Sequence, residues 1–162
     1  VLKGEGIAHK TEANAVALNL TSAEEVQVAV DQMPSKTFLV EEMVTGAVAE
    51  LIIGVTKDPA HGFVLTLGAG GILTEILKDT ASLLVPSDRA DIQTALSSLN
   101  TAALLKGYRG KPAANLDAIL DAVDAVQSYV LENADTLSEI EINPLICTPE
   151  RAIAADALIR KA

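Results

Sequence analysis

Between residues 37 and 77 four short strand-like runs, TFLVEEM, AELIIGVTK, FVLTL and ILTEIL, follow one another with only turn signals between them. The signals are Thr45-Gly46, Asp58-Pro59 and the glycines around Gly70. A parallel return would need a crossover of a dozen or more residues, so consecutive runs on such short connections predict antiparallel pairing. Around this block the period changes. Apolar residues recur at helical spacing at Val26, Ala29, Val30 and Met33, at Ile92, Ala95, Leu96 and Leu99, and at Leu116, Ile119, Leu120 and Val123, the last set continuing through Val126 and Val130. Thr21 with Glu24 reads as a capping box, and Ser87 and Asn115 as N-caps. SEIEINPLIC and AIAADALI flank the turn-like TPER and predict a closing hairpin. The pattern is that of an α/β (α+β) fold with a largely antiparallel sheet and flanking helices.

At 162 residues the chain has the length of one ordinary domain, and one compact unit is expected, with Lys106 to Asn115 as a flexible connection. A formal net charge of −10 argues against a nucleic-acid binder, which needs a basic face to displace counterions from phosphates. The single Cys147 cannot form an intrachain disulfide, and no apolar run reaches the length of a membrane span. A cytoplasmic protein is expected. VLKGEG opens as if inside a strand, without Met or a leader pattern, and suggests a piece of a longer chain.

In SEIEINPL, Glu139, Glu141 and Asn143 share one strand face while Ile140 and Ile142 point to the other. If Thr148 to Arg151 forms a four-residue loop, Cys147 faces Ala152 and, counting back, Asn143 faces Asp156 with Glu141 next along the same face. An amide oxygen and a carboxylate so placed suit a hard divalent cation such as magnesium, which takes few protein ligands and keeps waters and substrate phosphates. A solvated strand face carries the same residues, and a one-residue slip would remove the pairing.

Other segments are less specific. Gly68, Gly70 and Gly71 in VLTLGAGGILTE can form a turn or direct backbone N–H groups at phosphate oxygens. FLVEEMVTGAVAE offers backbone groups to a planar ring and carboxylates to ribose hydroxyls. Lys3 suits either a phosphate contact or an edge strand guarded against aggregation. His9 and His61 stand without neighbouring His or Cys, which speaks against zinc.

Taken in order, VLKGEGIAHKTE, EEMVTGAVAELIIGVTKDP, LGAGGILTEILKD, LLKGYRGKPAANLDAI and EIEINPLICTPERAIAADALI resemble the ATP-grasp domain of NDP-forming acyl-CoA synthetases, relatives of the succinyl-CoA synthetase β subunit. The resemblance implies a single ATP-grasp domain over residues 1–162, truncated at its N-terminus and excised from a longer multidomain chain. It implies that Lys3 contacts ATP phosphates, Glu42 and Val44 the adenine hinge, Glu50 the ribose, and Gly70 and Gly71 the nucleotide. Asn143 and Asp156 would hold Mg²⁺ with Glu141 in support, and His9 would carry the phosphoryl group as phosphohistidine. The implied enzyme is an acid–CoA ligase that uses ATP or ADP. Its CoA-binding and ligase domains would lie elsewhere in the chain or on a partner subunit, its substrates would be a small carboxylate and its acyl-CoA, and oligomers are expected. The fragment by itself would be inactive. Where the family has Gly-Gly-Val, this chain has Asn14-Ala15-Val16, and where it has Asp-Pro-x-Phe-Gly-Pro, this chain has DPAHGF. A noncatalytic module for assembly or sensing, and a carboxylate–amine ligase of the same fold, are the alternatives.

Overall fold

The computed structural model describes residues 1–7, 10, 13–71 and 78–161. They divide into two compact units, Val1–Thr45 and Gly46–Ala162.

In the first unit β1 (Leu2–Gly4) lies between β2 (Val16–Ala17) and β3 (Phe38–Val40), both antiparallel to it. Helix α1 (Ala23–Gln32) begins one residue later than the Thr21–Glu24 box predicts. Ser22 is the N-cap and accepts from the Glu25 N–H at 3.2 Å, while the Glu25 carboxylate accepts from the Thr21 N–H at 2.6 Å. Both Thr21-x-x-Glu24 and Ser22-x-x-Glu25 satisfy the motif; in the second Ser22 caps the helix, and the Glu25 carboxylate reaches back one residue beyond the cap to Thr21. None of the α1 residues is fully buried.

The second unit is built on a six-stranded sheet. Its strands are β4 (Ala49–Asp58), β5 (Gly62–Ala69), β6 (Thr80–Leu84), β7 (Leu137–Cys147), β8 (Ala152–Ala154) and β9 (Ala157–Lys161), in the order β6-β5-β4-β7-β8 with β9 also on β7, and every pairing is antiparallel. The run ILTEIL predicted as a strand lies outside the described residues, and β6 forms just after it from a segment without a clear signal. Helices α2 (Arg89–Ser98), α3 (Ala102–Leu105) and α4 (Leu116–Glu132) follow β6.

Alternation on β4 sends Leu51, Ile53 and Val55 to the same core as Leu65 and Leu67 of β5. The predicted apolar stripes of α2 and α4 pack on this face, with Ile92, Leu96, Ile119 and Val123 all at most 2% exposed. Asp88, not Ser87, caps α2 by accepting from the Asp91 N–H at 2.9 Å. Ser87 instead meets the buried Gln127 of α4 through both main-chain groups, at 2.7 and 3.1 Å. Asn115 caps α4 as predicted and also donates to the Glu150 carbonyl, tying the helix start to the closing hairpin.

Candidate functional site

The closing hairpin fixes the register of the site. Thr148 to Arg151 close it as expected: the Thr148 N–H donates to the Arg151 carbonyl at 2.9 Å, and the buried Thr148 hydroxyl accepts from the Glu150 and Arg151 N–H groups. Cys147 faces Ala152 and Leu145 faces Ala154; further along, Ile142 faces Ala157. The two ladders share one continuous register, which sets Asn143 across from Asp156. In the gap between them the Asn143 N–H donates to the Asp156 carbonyl at 3.1 Å, and the Ala155 N–H to the Pro144 carbonyl at 3.0 Å.

On the other side of β7 the ladder is irregular. Leu51 faces Leu145 but Ile53 faces Ile142, so Asn143 and Pro144 together stand opposite Ile52 as a bulge. Bulges bend a strand and re-aim side chains. The core parity of β7 changes there, from Ile140 and Ile142 to Leu145 and Cys147. A second irregularity between Leu137 and Glu139 produces the same change, since Leu137 is also buried. Strict alternation therefore holds only from Glu139 to Asn143. Asn143, Asp156 and Glu141 are half-buried, neither sunk in the core nor fully exposed. Glu141 lies between Gly54 of β4 and Leu158 of β9.

The glycine turn meets this bulge. Gly71 donates its N–H to Asn143 Oδ1 at 3.0 Å, and Gly70 donates to the Glu50 carbonyl at 2.8 Å. A Cβ on Gly70 would stand 2.5 Å from the carbonyl carbon and oxygen of Leu51; one on Gly71, where φ is +79°, would stand 2.3 Å from Glu50 Oε2. Close approach to main chain thus requires glycine at 70, whereas at 71 the positive φ favours it and the exposed Glu50 side chain can swing aside. Their N–H groups make these intrachain bonds. Glu50 itself is exposed. Burial, and secondarily the nearby Glu50 charge, push the Cys147 thiol up to about 12, so this cysteine is a neutral core residue.

Sequence reasoning missed Asp79. It is only 8% exposed and accepts from the Asn100 N–H (2.8 Å), Asn100 Nδ2 (3.1 Å), the Thr101 N–H (2.8 Å) and the Thr101 hydroxyl (2.8 Å). Burial works to raise its pKa, but these bonds outweigh it and hold the carboxyl below its usual value. Its carbonyl also accepts from the Ala69 N–H, fastening the far end of the glycine segment to β5. An isolated Asp between two apolar runs gave no signal, because its partners lie more than twenty residues on.

In the first unit, Lys3 is on the central strand, so the edge-strand explanation fails. Its side chain is 12% exposed and paired with Glu41. The strand of FLVEEM ends at Val40, and Glu42 and Val44 follow it in irregular chain, with Glu42 exposed. Asn14 occupies the left-handed region (φ 54°) that a glycine would favour, and Ala15 is fully buried against Gly4. At this departure from Gly-Gly-Val, Asn14 thus holds a left-handed backbone and the Ala15 methyl turns inward. His9 lies outside the described residues. His61 sits in the β4–β5 turn, where Asp58 Oδ1 accepts from the Ala60 and His61 N–H groups and contacts His61 Nδ1, all within 2.9 Å. Among the described residues no group of three His, Cys, Asp or Glu is placed to hold a metal ion. A seat made from one amide and one acid, with waters and phosphates completing it, does not require such a group.

The family model for the ATP-grasp domain matches residues 2–160, and the chain belongs to this ATP-grasp family. Its relatives are acid–CoA ligases of the ADP-forming kind, which places it in the branch of NDP-forming acyl-CoA synthetases. It is 30% identical over 165 residues to the β subunit of acetate–CoA ligase [ADP-forming] II of Pyrococcus furiosus, covering 94% of this chain and 70% of that subunit. It is 34% identical to a trans-feruloyl-CoA synthase from an unknown prokaryote, of which it spans only 24%. Among solved structures, the dinucleotide-forming acetyl-coenzyme A synthetase 1 of Candidatus Korarchaeum cryptofilum superposes with a TM-score of 0.88 at 28% identity, over 99% of this chain and 76% of that one. That structure contains coenzyme A and Mg-AMPPCP, with its phosphohistidine segment pointing towards the nucleotide binding site. No helix among the described residues is long and apolar enough to cross a membrane.

Proposed function

We propose that this chain is the nucleotide-binding part of an NDP-forming acyl-CoA synthetase, taking Mg-ATP or Mg-ADP and exchanging phosphate through a phosphohistidine so that acyl-CoA and NTP are interconverted. The observation that carries the reading is the hairpin register, which sets residue Asn143 across from residue Asp156, with the Asn143 carboxamide oxygen on the glycine turn. Asn143 and Asp156 hold the cation, with Glu141 further along the strand. Both are hard oxygen donors at a half-buried position, which fits magnesium. Bound there, magnesium would neutralise charge on the transferring phosphoryl group.

The other residues act by position and charge. Lys3 brings a cation to the phosphates from a central strand, with Glu41 holding its ammonium in place. Glu42, Val44 and Glu50 take the adenine and ribose roles that the family resemblance gives them. His9 accepts the phosphoryl group: a bond forms from an imidazole nitrogen to phosphorus as the bond from phosphorus to the departing nucleotide oxygen breaks. The CoA-binding and ligase functions belong to further domains or a partner subunit, and the setting is cytoplasmic. Acetate and ferulate among the relatives' names leave the acyl group to those other domains.

Calorimetric titration of the intact protein with Mg-ADP tests this reading. Binding is expected, and Asn143→Ala or Asp156→Ala should weaken it by about tenfold or more while far-ultraviolet circular dichroism stays unchanged. No heat and no thermal stabilisation from Mg-ADP would refute it in favour of a noncatalytic module.

A further inference from the structure

We propose that Gly71 is a positioning residue for the metal seat: its N–H fixes which arm of the Asn143 carboxamide carries the oxygen, and thereby couples cation binding to the glycine turn. The inference rests on the magnesium reading of Asn143 and Asp156.

An asparagine side chain has two arms of nearly equal size, and only the oxygen can ligate a hard cation. A flip of the amide would present NH2 to the cation and abolish ligation. The Gly71 N–H, 3.0 Å from Asn143 Oδ1, forbids the flip, because two donors would then face each other. One N–H leaves an amide oxygen a second lone pair, so the clamp and a cation can use the same atom. A cation there draws electron density from the oxygen and weakens it somewhat as an acceptor, but ordering of the amide by either partner benefits the other, and that shared ordering is the coupling.

The surroundings hold this N–H in place. The preceding Gly70 N–H is fixed on the Glu50 carbonyl, which sets the direction of the chain into Gly71. A side chain at 71 would be strained at φ +79°. On the other partner, the Asn143 main chain is anchored to Asp156 and lies in the bulge opposite Ile52. The two halves of the contact are 72 residues apart in sequence, and each is fixed by main-chain bonds of its own.

The test uses the intact protein with isotope-labelled glycine, held in ADP with EDTA and then titrated with MgCl2. Metal binding is read independently from water relaxation with MnCl2 in the presence of ADP. The Gly71 amide resonance, identified with Gly71→Ala, should shift and saturate with the metal, and its solvent exchange should slow by about tenfold. Asn143→Ala should abolish the shift, and Asn143→Asp, which keeps an acceptor oxygen, should restore it. Metal binding that leaves Gly71 unmoved overturns the proposal while preserving the magnesium seat. So does a shift on ADP alone, or failure of Asn143→Asp to restore the response. Absence of any metal binding by relaxation overturns the seat itself and this inference with it.

Discussion

Replacing Asp79 removes the one acceptor that four donors share. In Asp79→Ala the main-chain N–H groups of Asn100 and Thr101 lose their partners at the start of α3, where they cannot turn away, whereas the Asn100 amide and Thr101 hydroxyl can rotate toward water. Leaving a buried donor unsatisfied costs about 1–3 kcal/mol; these two lie at a partly buried site, with Asn100 itself exposed, so the low end applies to each and together they predict a loss of about 2 kcal/mol. For a chain of this size that lowers the melting temperature by roughly 4–8 °C. Asp79→Asn should cost about 1 kcal/mol, since its amide keeps one acceptor and turns two hydrogens toward donors. Urea denaturation at neutral pH measures both. The pH dependence follows from the lowered carboxyl pKa. A depressed folded-state value means the contribution is complete above the unfolded value of about 3.9 and is lost as pH falls through the lower folded value. The deficit of the variants should therefore shrink only below pH 4. A cost under about 0.5 kcal/mol at pH 7, or a deficit equally large well below the folded-state pKa, would refute the account.

Two further outcomes follow from the packing around the site. Gly70→Ala drives a methyl into the Leu51 main chain, which cannot swing aside as a side chain would, and should destabilise by about 3 kcal/mol in the same urea assay. Cys147, fully buried and with its thiol near 12, should resist iodoacetamide at pH 8 in the folded protein and react once urea has unfolded it; alkylation at equal rates in both states would contradict the burial.

The sequence by itself determined what depends on short-range geometry. The four residues TPER set the hairpin loop, and because a strand has a fixed period of two, counting from Cys147 and Ala152 places Asn143 across from Asp156. The stripes of α2 and α4 were legible for the same reason, a period of 3.6 carried by one buried face. Capping was readable to within one residue, where adjacent side chains offered the same chemistry at Thr21 and Ser22 or at Ser87 and Asp88.

Only the tertiary structure decided what depends on partners distant in the chain. Strand order put Lys3 on a central strand, and nothing in VLKGEG encodes which neighbours flank it. The bulge at Asn143 and Pro144 arises against β4, about ninety residues earlier, and it alone explains why the core parity of β7 reverses beyond the site. The Gly71 contact to Asn143 and the cluster around Asp79 likewise join segments whose separation no local pattern spans. Local periodicity is set by bond geometry within a few residues, whereas these contacts exist only after the sheet has brought remote strands to within a hydrogen bond of each other.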